Sequence, residues 1–292
     1  MPIVPIKKKI IWWVTLSLCA CTPPTEESRM NSAIQINLGE FGHQFLQRNN
    51  LAAEYHIKKQ PAGMNFYRYR WPSSADGTVI VEHGKYSFQI PHALSVVGTE
   101  DTEEIGAGLE IFNINAGITA ADTIKHDDAR KEFIKLLDNL LALGWKPSIL
   151  YNSPRLTGEQ AFRYYKEDDS YGVPPNYTPT LEEWMRIDFD NYYLYADDVF
   201  LEIRFRRGSE SEDKNVAAYL LVIRLHSKEM EAKANFEGEE RDQWQELWVD
   251  KIKLLKKERY KKEADLVKRG FTIYTDYDEP KIHPADPVEP QP

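Results

Sequence analysis

Residues 191–225 constrain the fold more than any other stretch of this chain. Asn191–Ala196 and Val199–Arg206 are joined by Asp197-Asp198, a connection short enough to force a hairpin. In the second arm Val199, Leu201, Ile203 and Phe205 alternate with Glu202, Arg204 and Arg206, so one face is apolar and the other charged. The polar stretch GSESEDKN then leads into AAYLLVIRL (217–225), which reads as a third antiparallel strand. A meander with one apolar face needs a cover.

Amphipathic helices supply that cover. Between Asp127 and Leu143, residues Ala129, Phe133, Leu136, Leu137, Leu140 and Leu143 recur at helical spacing, and Gly144 follows as a left-handed cap. A longer helix is expected from about Glu239 to Lys268, with Trp244, Trp248, Ile252 and Leu255 on one stripe. Thr157 starts a shorter helix, and Thr180 with Glu183 makes a capping box for another that carries Trp184. Upstream, FYRYRW (66–71) sets Tyr67, Tyr69 and Trp71 against Arg68 and Arg70. TVIVE and KYSFQI flank His83-Gly84 as a hairpin, while LEIFNI (109–114) and Ile149–Tyr151 read as further strands. The fold class is therefore α+β: antiparallel sheets packed by amphipathic helices. Residues 31–120 form a mostly-β part and 121–277 an α+β part.

One internal echo bears on architecture. Gly144-Trp145, Tyr151 and Pro154 share their spacing with Gly270-Phe271, Tyr277 and Pro280, and each set follows an amphipathic helix. A duplicated helix–strand unit, hence two similar lobes, would produce this; so would coincidence, because glycine caps are common.

Near the start, Lys7, Lys8 and Lys9 precede an apolar run from Ile10 to Leu18, and Cys19-Ala20-Cys21 and a polar stretch follow. A basic n-region, a short apolar h-region and small exit residues describe a secretory signal peptide. The apolar run is about half of the roughly 20 residues that a spanning helix needs. Leu18, Ala20 and Cys21 resemble the lipobox of bacterial lipoproteins, with Cys19 at its loosely specified position. That resemblance covers about 21 residues and implies cleavage before Cys21 and a diacylglyceryl group on its sulfur. An ordinary signal peptide cut near Ala20 is the alternative. Two or three acyl chains would hold the bilayer stably, where one holds only reversibly. Thr22 stands where lipoproteins kept at the inner membrane usually carry Asp, which implies the outer membrane, facing the periplasm, with the inner membrane as the other possibility. Residues 21–30 then form a lipidated tether, and DEPKIHPADPVEPQP (278–292), with five prolines, reads as a disordered tail.

Removing residues 1–20 takes three lysines and no acid, so the net charge moves from −9 to −12. That balance disfavours nucleic acid as a partner. Only Cys21 would remain of the two cysteines, with its sulfur alkylated, so no disulfide, thiolate–zinc site or catalytic thiol is available. No GxSxG elbow, HExxH pair or phosphate-cradling loop occurs in the chain. His83 sits in a turn, His126 at a helix start and His226 at a strand end, without sequence-near partners for a metal. Asp188, Asp190 and Asn191 lack the later Gly and Glu of a calcium loop. No cofactor, metal or catalytic set is expected.

Two stretches carry a recognition reading beside a plainer one. YGVPPNY (171–177) has the amphipathic aromatics of binding surfaces but equally suits core and loop packing, and residues 251–269 hold nine Lys or Arg that would face anionic lipid, an acidic partner or simply solvent. The expected function is a non-catalytic binding lipoprotein of the envelope, held in the bilayer through Cys21. A lipid-anchored chain of mixed α+β parts, the helix ending in Gly144-Trp145 with Pro154-Arg155 beyond it, and the Tyr-rich hairpin 192–206 are similar in style to the immunity lipoproteins encoded beside type VI secretion effectors, which implies a secreted effector as partner and blockade as mechanism. The alternatives are an assembly lipoprotein of the envelope and a hydrolase with dispersed carboxylates.

Overall fold

The computed structural model describes residues 31–168, 170–208 and 213–286. Residues 1–30, which hold the expected leader and tether and Cys21, lie outside the described residues. The first half contains β1 (Ala33–Ile36), α1 (Gly42–Arg48), α2 (Ala53–His56), β2 (Ile57–Lys59), β3 (Met64–Arg70), β4 (Gly77–Val81), β5 (Phe88–Asp101), β6 (Leu109–Gly117) and β7 (Ile124–Lys125). The second contains α3 (His126–Ala142), β8 (Lys146–Pro147), α4 (Gly158–Tyr165), α5 (Leu181–Trp184), β9 (Tyr192–Ala196), β10 (Val199–Arg207), β11 (Val216–Ala217), β12 (Tyr219–Ser227), α6 (Lys228–Lys233) and α7 (Trp244–Lys268). This is an α+β fold built on antiparallel pairing, as the alternation predicts.

Ten strands form one sheet in the order β1-β4-β5-β6-β12-β10-β9-β8, with β2 and β3 attached along β5. Every pairing in it is antiparallel except β1 with β4. The expected meander is present: β9 turns through Asp197, at φ 50, into β10, and β10 pairs with β12. Its last strand also pairs with β6, which joins the two halves edge to edge. β5 runs 14 residues and is longer than any strand legible in the sequence. Its first part pairs with β4 and its second with β3, and a register shift separates Ala93 from Ser95 on its other edge.

The strand period of two sorts residues onto the two faces. On one face Val199, Leu201, Ile203 and Phe205 of β10 join Tyr192 and Leu194 of β9, Phe112 and Ile114 of β6, and Tyr67 and Tyr69 of β3 in a single core. α3 lies on this face and buries Ala129, Phe133, Leu137 and Leu140. Trp184 completes it, with its ring stacked on Phe205 at 4.0 Å and tilted against Phe133 at 5.5 Å. The short helix α5 that delivers Trp184 is started by the expected box: the Thr180 hydroxyl accepts from the Glu183 N–H, and Glu183 returns a bond to Thr180. On the opposite face Tyr195 and Phe200 meet Trp244, Trp248 and Ile252 of α7 in a second core.

The echo proves to be shared cap geometry. Gly144 and Gly270 both adopt left-handed φ, 97° and 81°. Trp145 N–H bonds Leu140 O at 3.1 Å and Phe271 N–H bonds Leu266 O at 3.0 Å, the same helix-ending motif. Beyond the caps the copies part. Trp145 leads into β8 and packs in the main core, whereas Phe271 leads into irregular chain and packs in a third cluster with α4. The halves share one sheet and one main core instead of forming two similar lobes. Residues 149–151, expected as a strand, are irregular; pairing ends at Pro147.

Residues 278–286 also differ from expectation, because they pack on α7 and are no free tail. Lys256 and Arg259 of that helix are buried, at 6% and 0% exposure, and both bind Glu279. Asp286 accepts from Trp248 Nε1 at 2.5 Å, and Ile282 enters the second core. Two cations of the basic helix are thus structural, held by one carboxylate from downstream chain. No helix among the described residues is long and apolar enough to cross a membrane.

Candidate functional site

A cleft of about 290 Å³ lies beside the outer edge of β9. One wall is Lys146–Leu150, where the Ser148 N–H donates to Tyr193 O at 2.9 Å. The other is the loop Tyr171–Asn176, where the Val173 N–H donates to Asn191 O at 2.8 Å. Both walls are therefore tied to the same strand, and Tyr193 lines the space with Tyr274 and Tyr277. This is the YGVPPNY stretch; Tyr171 and Val173 are buried in the core clusters, so it serves packing, the plainer reading of the sequence, as well as lining the cleft.

Hydrogen bonds hold the loop in place. Tyr171 Oη donates to Pro154 O at 3.2 Å, and Asn176 Nδ2 donates to Thr157 Oγ1 at 2.6 Å. Gly172 sits so close to β9 that an added Cβ would come within 2.7 Å of the Tyr193 ring and 3.0 Å of Asn191 O. Tyr277 Oη accepts the Ile149 N–H at 2.8 Å, and the Tyr274 N–H donates to Arg155 O at 2.7 Å. Lys146 and Asp278 pair at the rim. Such a fastened cleft loses little freedom when it binds.

The Tyr171, Tyr193 and Tyr277 phenols stay protonated across the physiological range. Burial, helped by Glu202, pushes Tyr193 up to about 12, and burial also raises Tyr171 and Tyr277. The lining thus offers ring faces and prolyl edges, with the Tyr171 and Tyr277 hydroxyls already bonded within the walls. That suits stacking and hydrogen bonding to a peptide segment.

The residues weighed as catalytic or metal-binding are engaged elsewhere. His83 Nε2 lies 3.0 Å from Ala196 O, and its ring stacks on Tyr86. His126 joins Tyr219 Oη and Lys214 O. Asp188 accepts the Arg207 N–H, while Asp190 accepts the Asp188 N–H. Among the described residues no three His, Cys, Asp or Glu side chains are grouped to hold a metal ion. Cys21 lies outside the described residues.

Sequence reasoning missed one polar cluster, at the end of β12. His226 is buried with Nε2 2.9 Å from Glu231, and Ser227 Oγ donates to buried Glu110 at 2.9 Å. Ser227 also accepts the Met230 N–H, so it caps α6 and is not aimed at a base. Burial raises the Glu110 pKa, against the lowering effect of the Ser227 bond, and Glu229 adds to the rise. The folded state therefore takes up this proton at a higher pH than the unfolded chain does, so charged Glu110 opposes folding above its folded pKa. Glu110→Gln is expected to raise the unfolding free energy at pH 7. The gain should vanish on acidification to the unfolded carboxylate range, about pH 4. Urea unfolding at the two pH values measures it, and an equal effect at both would refute the assignment.

Compared with known proteins, the chain matches no family model, no curated protein and no solved structure.

Proposed function

We propose that this chain is an envelope-anchored, non-catalytic binding lipoprotein, most concretely an immunity protein that binds and blocks a toxic effector in the periplasm. The observation that carries the binding role is the preorganised, tyrosine-lined cleft between Lys146–Leu150 and Tyr171–Asn176. Rigid amphipathic aromatics beside a fixed backbone are the make-up of protein recognition sites. The lipobox-like Leu18-Cys19-Ala20-Cys21 supports attachment to the envelope. A blocking protein needs no chemistry of its own, which agrees with a site of neutral phenols.

The test is affinity capture with the full chain, solubilised in nonionic detergent, from envelope and secretion-active culture extracts. One stoichiometric secreted toxin, inhibited on binding, is the expected result. Tyr274→Ala at the cleft mouth, where the side chain is 39% exposed, should weaken that complex by about 2 kcal/mol, roughly 30-fold. Recovery of resident envelope proteins alone would replace immunity with an assembly role. Cys21→Ser should abolish membrane partitioning and change processing; an unchanged distribution would sink the anchor.

A further inference from the structure

The sheet face opposite α3 carries a second, differently built surface. Cross-strand partners place Arg204, Val222, Asn115, Ser95 and Arg70 in one row over β10, β12, β6, β5 and β3. The adjacent row is Glu202, Arg224, Asn113, Val97 and Arg68. Residues directly opposite each other share a face, so these side chains project together. Their in-between neighbours, Ile203, Ile223, Ile114, Val96 and Tyr69, are the ones in the main core. α7 meets this side of the sheet through Tyr195 and Phe200, at one margin.

Two arginine banks frame the surface. Arg204 and Arg206 both stack on the Phe189 ring, with their guanidinium carbons 4.5 and 4.4 Å from its centre. Phe189 holds a left-handed φ of 66°, a conformation disfavoured for a bulky side chain, and this backbone presents the ring to both arginines. Across the sheet Arg68 lies over Phe66, with Arg70 beyond it. Four strand spacings, about 19 Å, separate the banks, which is room for one helix of about 10–12 Å diameter between them. The floor is neutral or self-paired: Asn115 donates to Ser95, and Arg224 pairs with Glu202. Among the described residues no carboxylate is within ion-pairing distance of Arg68, Arg70, Arg204 or Arg206.

We propose that this face docks an acidic segment of a partner protein, its carboxylates meeting the two arginine banks. Arginines stacked on aromatic rings are preorganised for carboxylates, and two guanidinium groups on one ring repel each other until an anion joins them. The rest of the molecule favours a compact acidic partner over a long polyanion. The whole chain's net charge of −9, or −12 once residues 1–20 are removed, disfavours an extended nucleic acid or anionic bilayer, whose charges would reach beyond the banks.

The experiment is fluorescence anisotropy on the full chain in nonionic detergent. The probe is a fluorescein-labelled Glu/Ala helical peptide of about 20 residues, roughly 30 Å long. A Lys/Ala peptide, a single-stranded oligonucleotide and phosphatidylglycerol vesicles serve as competitors. The acidic peptide should bind, and Arg204→Ala/Arg206→Ala should weaken it about tenfold or more. Arg68→Glu/Arg70→Glu, at exposed positions on a different strand, should do the same with unchanged thermal melting. Lys257→Ala/Lys261→Ala, exposed on α7, should leave binding within about twofold. Undetectable peptide binding, equal binding by both arginine variants, or tighter capture by oligonucleotide or vesicles would each overturn the proposal.

Discussion

Glu279→Ala is expected to lower the unfolding free energy by about 3–5 kcal/mol, the loss typical of breaking a buried ion pair by removing one partner. Arg259 is fully buried, and its Nη1 donates to Glu279 at 2.6 Å while Nη2 donates to Leu150 O at 2.9 Å. Lys256 Nζ shares the same carboxylate at 2.5 Å. Without Glu279 both buried cations lose the carboxylate they share. Restoring water to them means prying residues 278–286 from α7. Urea unfolding followed by tryptophan fluorescence reads the change, since Trp248 binds Asp286 in the same segment. A loss below about 1 kcal/mol would show that this pairing behaves like a solvated surface bridge. The combined variant Lys256→Met/Arg259→Met/Glu279→Leu should recover most of the stability, because an apolar replacement removes the desolvation cost with the attraction.

Trp184→Ala should cost a similar amount, about 3–5 kcal/mol, by opening a cavity in the main core. The indole is fully buried, stacked on Phe205 at 4.0 Å and on Tyr219 at 5.8 Å, and its Nε1–H donates to Tyr219 Oη. Phe133 of α3 reaches the same ring at 5.5 Å, so the cavity would sit between helix and sheet, where neither side can collapse alone. Trp184→Phe keeps a ring on Phe205 and should recover more than half of the loss. If alanine and phenylalanine were equally tolerated, Trp184 would be filling space that the surrounding core does not need.

How legible each element was depends on the reach of its signal. The 191–225 meander, the α3 stripe and the Thr180–Glu183 box were readable because every residue involved lies within a few positions of its partners. Even the glycine echo was a true observation about helix ends, misleading only as a guide to lobes. β5 was under-read because Pro91, left-handed His92 and Gly98 punctuate it; pairing to β4, β3 and β6 overrides those breaks. Of the cleft, the loop 171–177 was visible as a candidate. A hundred residues further on, Tyr277 was marked only as a member of the glycine echo and Tyr274 not at all, so nothing local tied either to this loop.

The arginine face shows the division most sharply. Alternation by itself determined that Arg68 and Arg70 share one side of their strand, and Arg204 and Arg206 one side of theirs, because a strand's period is local. Tertiary structure alone decided that both sides are the same side of one sheet, through the β12–β6 pairing that joins the halves. It also decided that Lys256 and Arg259, indistinguishable in sequence from their solvated neighbours, are buried against Glu279. The physical reason is common to both cases. Periodicity and capping are settled within one or two turns of chain, whereas register across a sheet and the pairing of a buried charge depend on residues that only folding brings together.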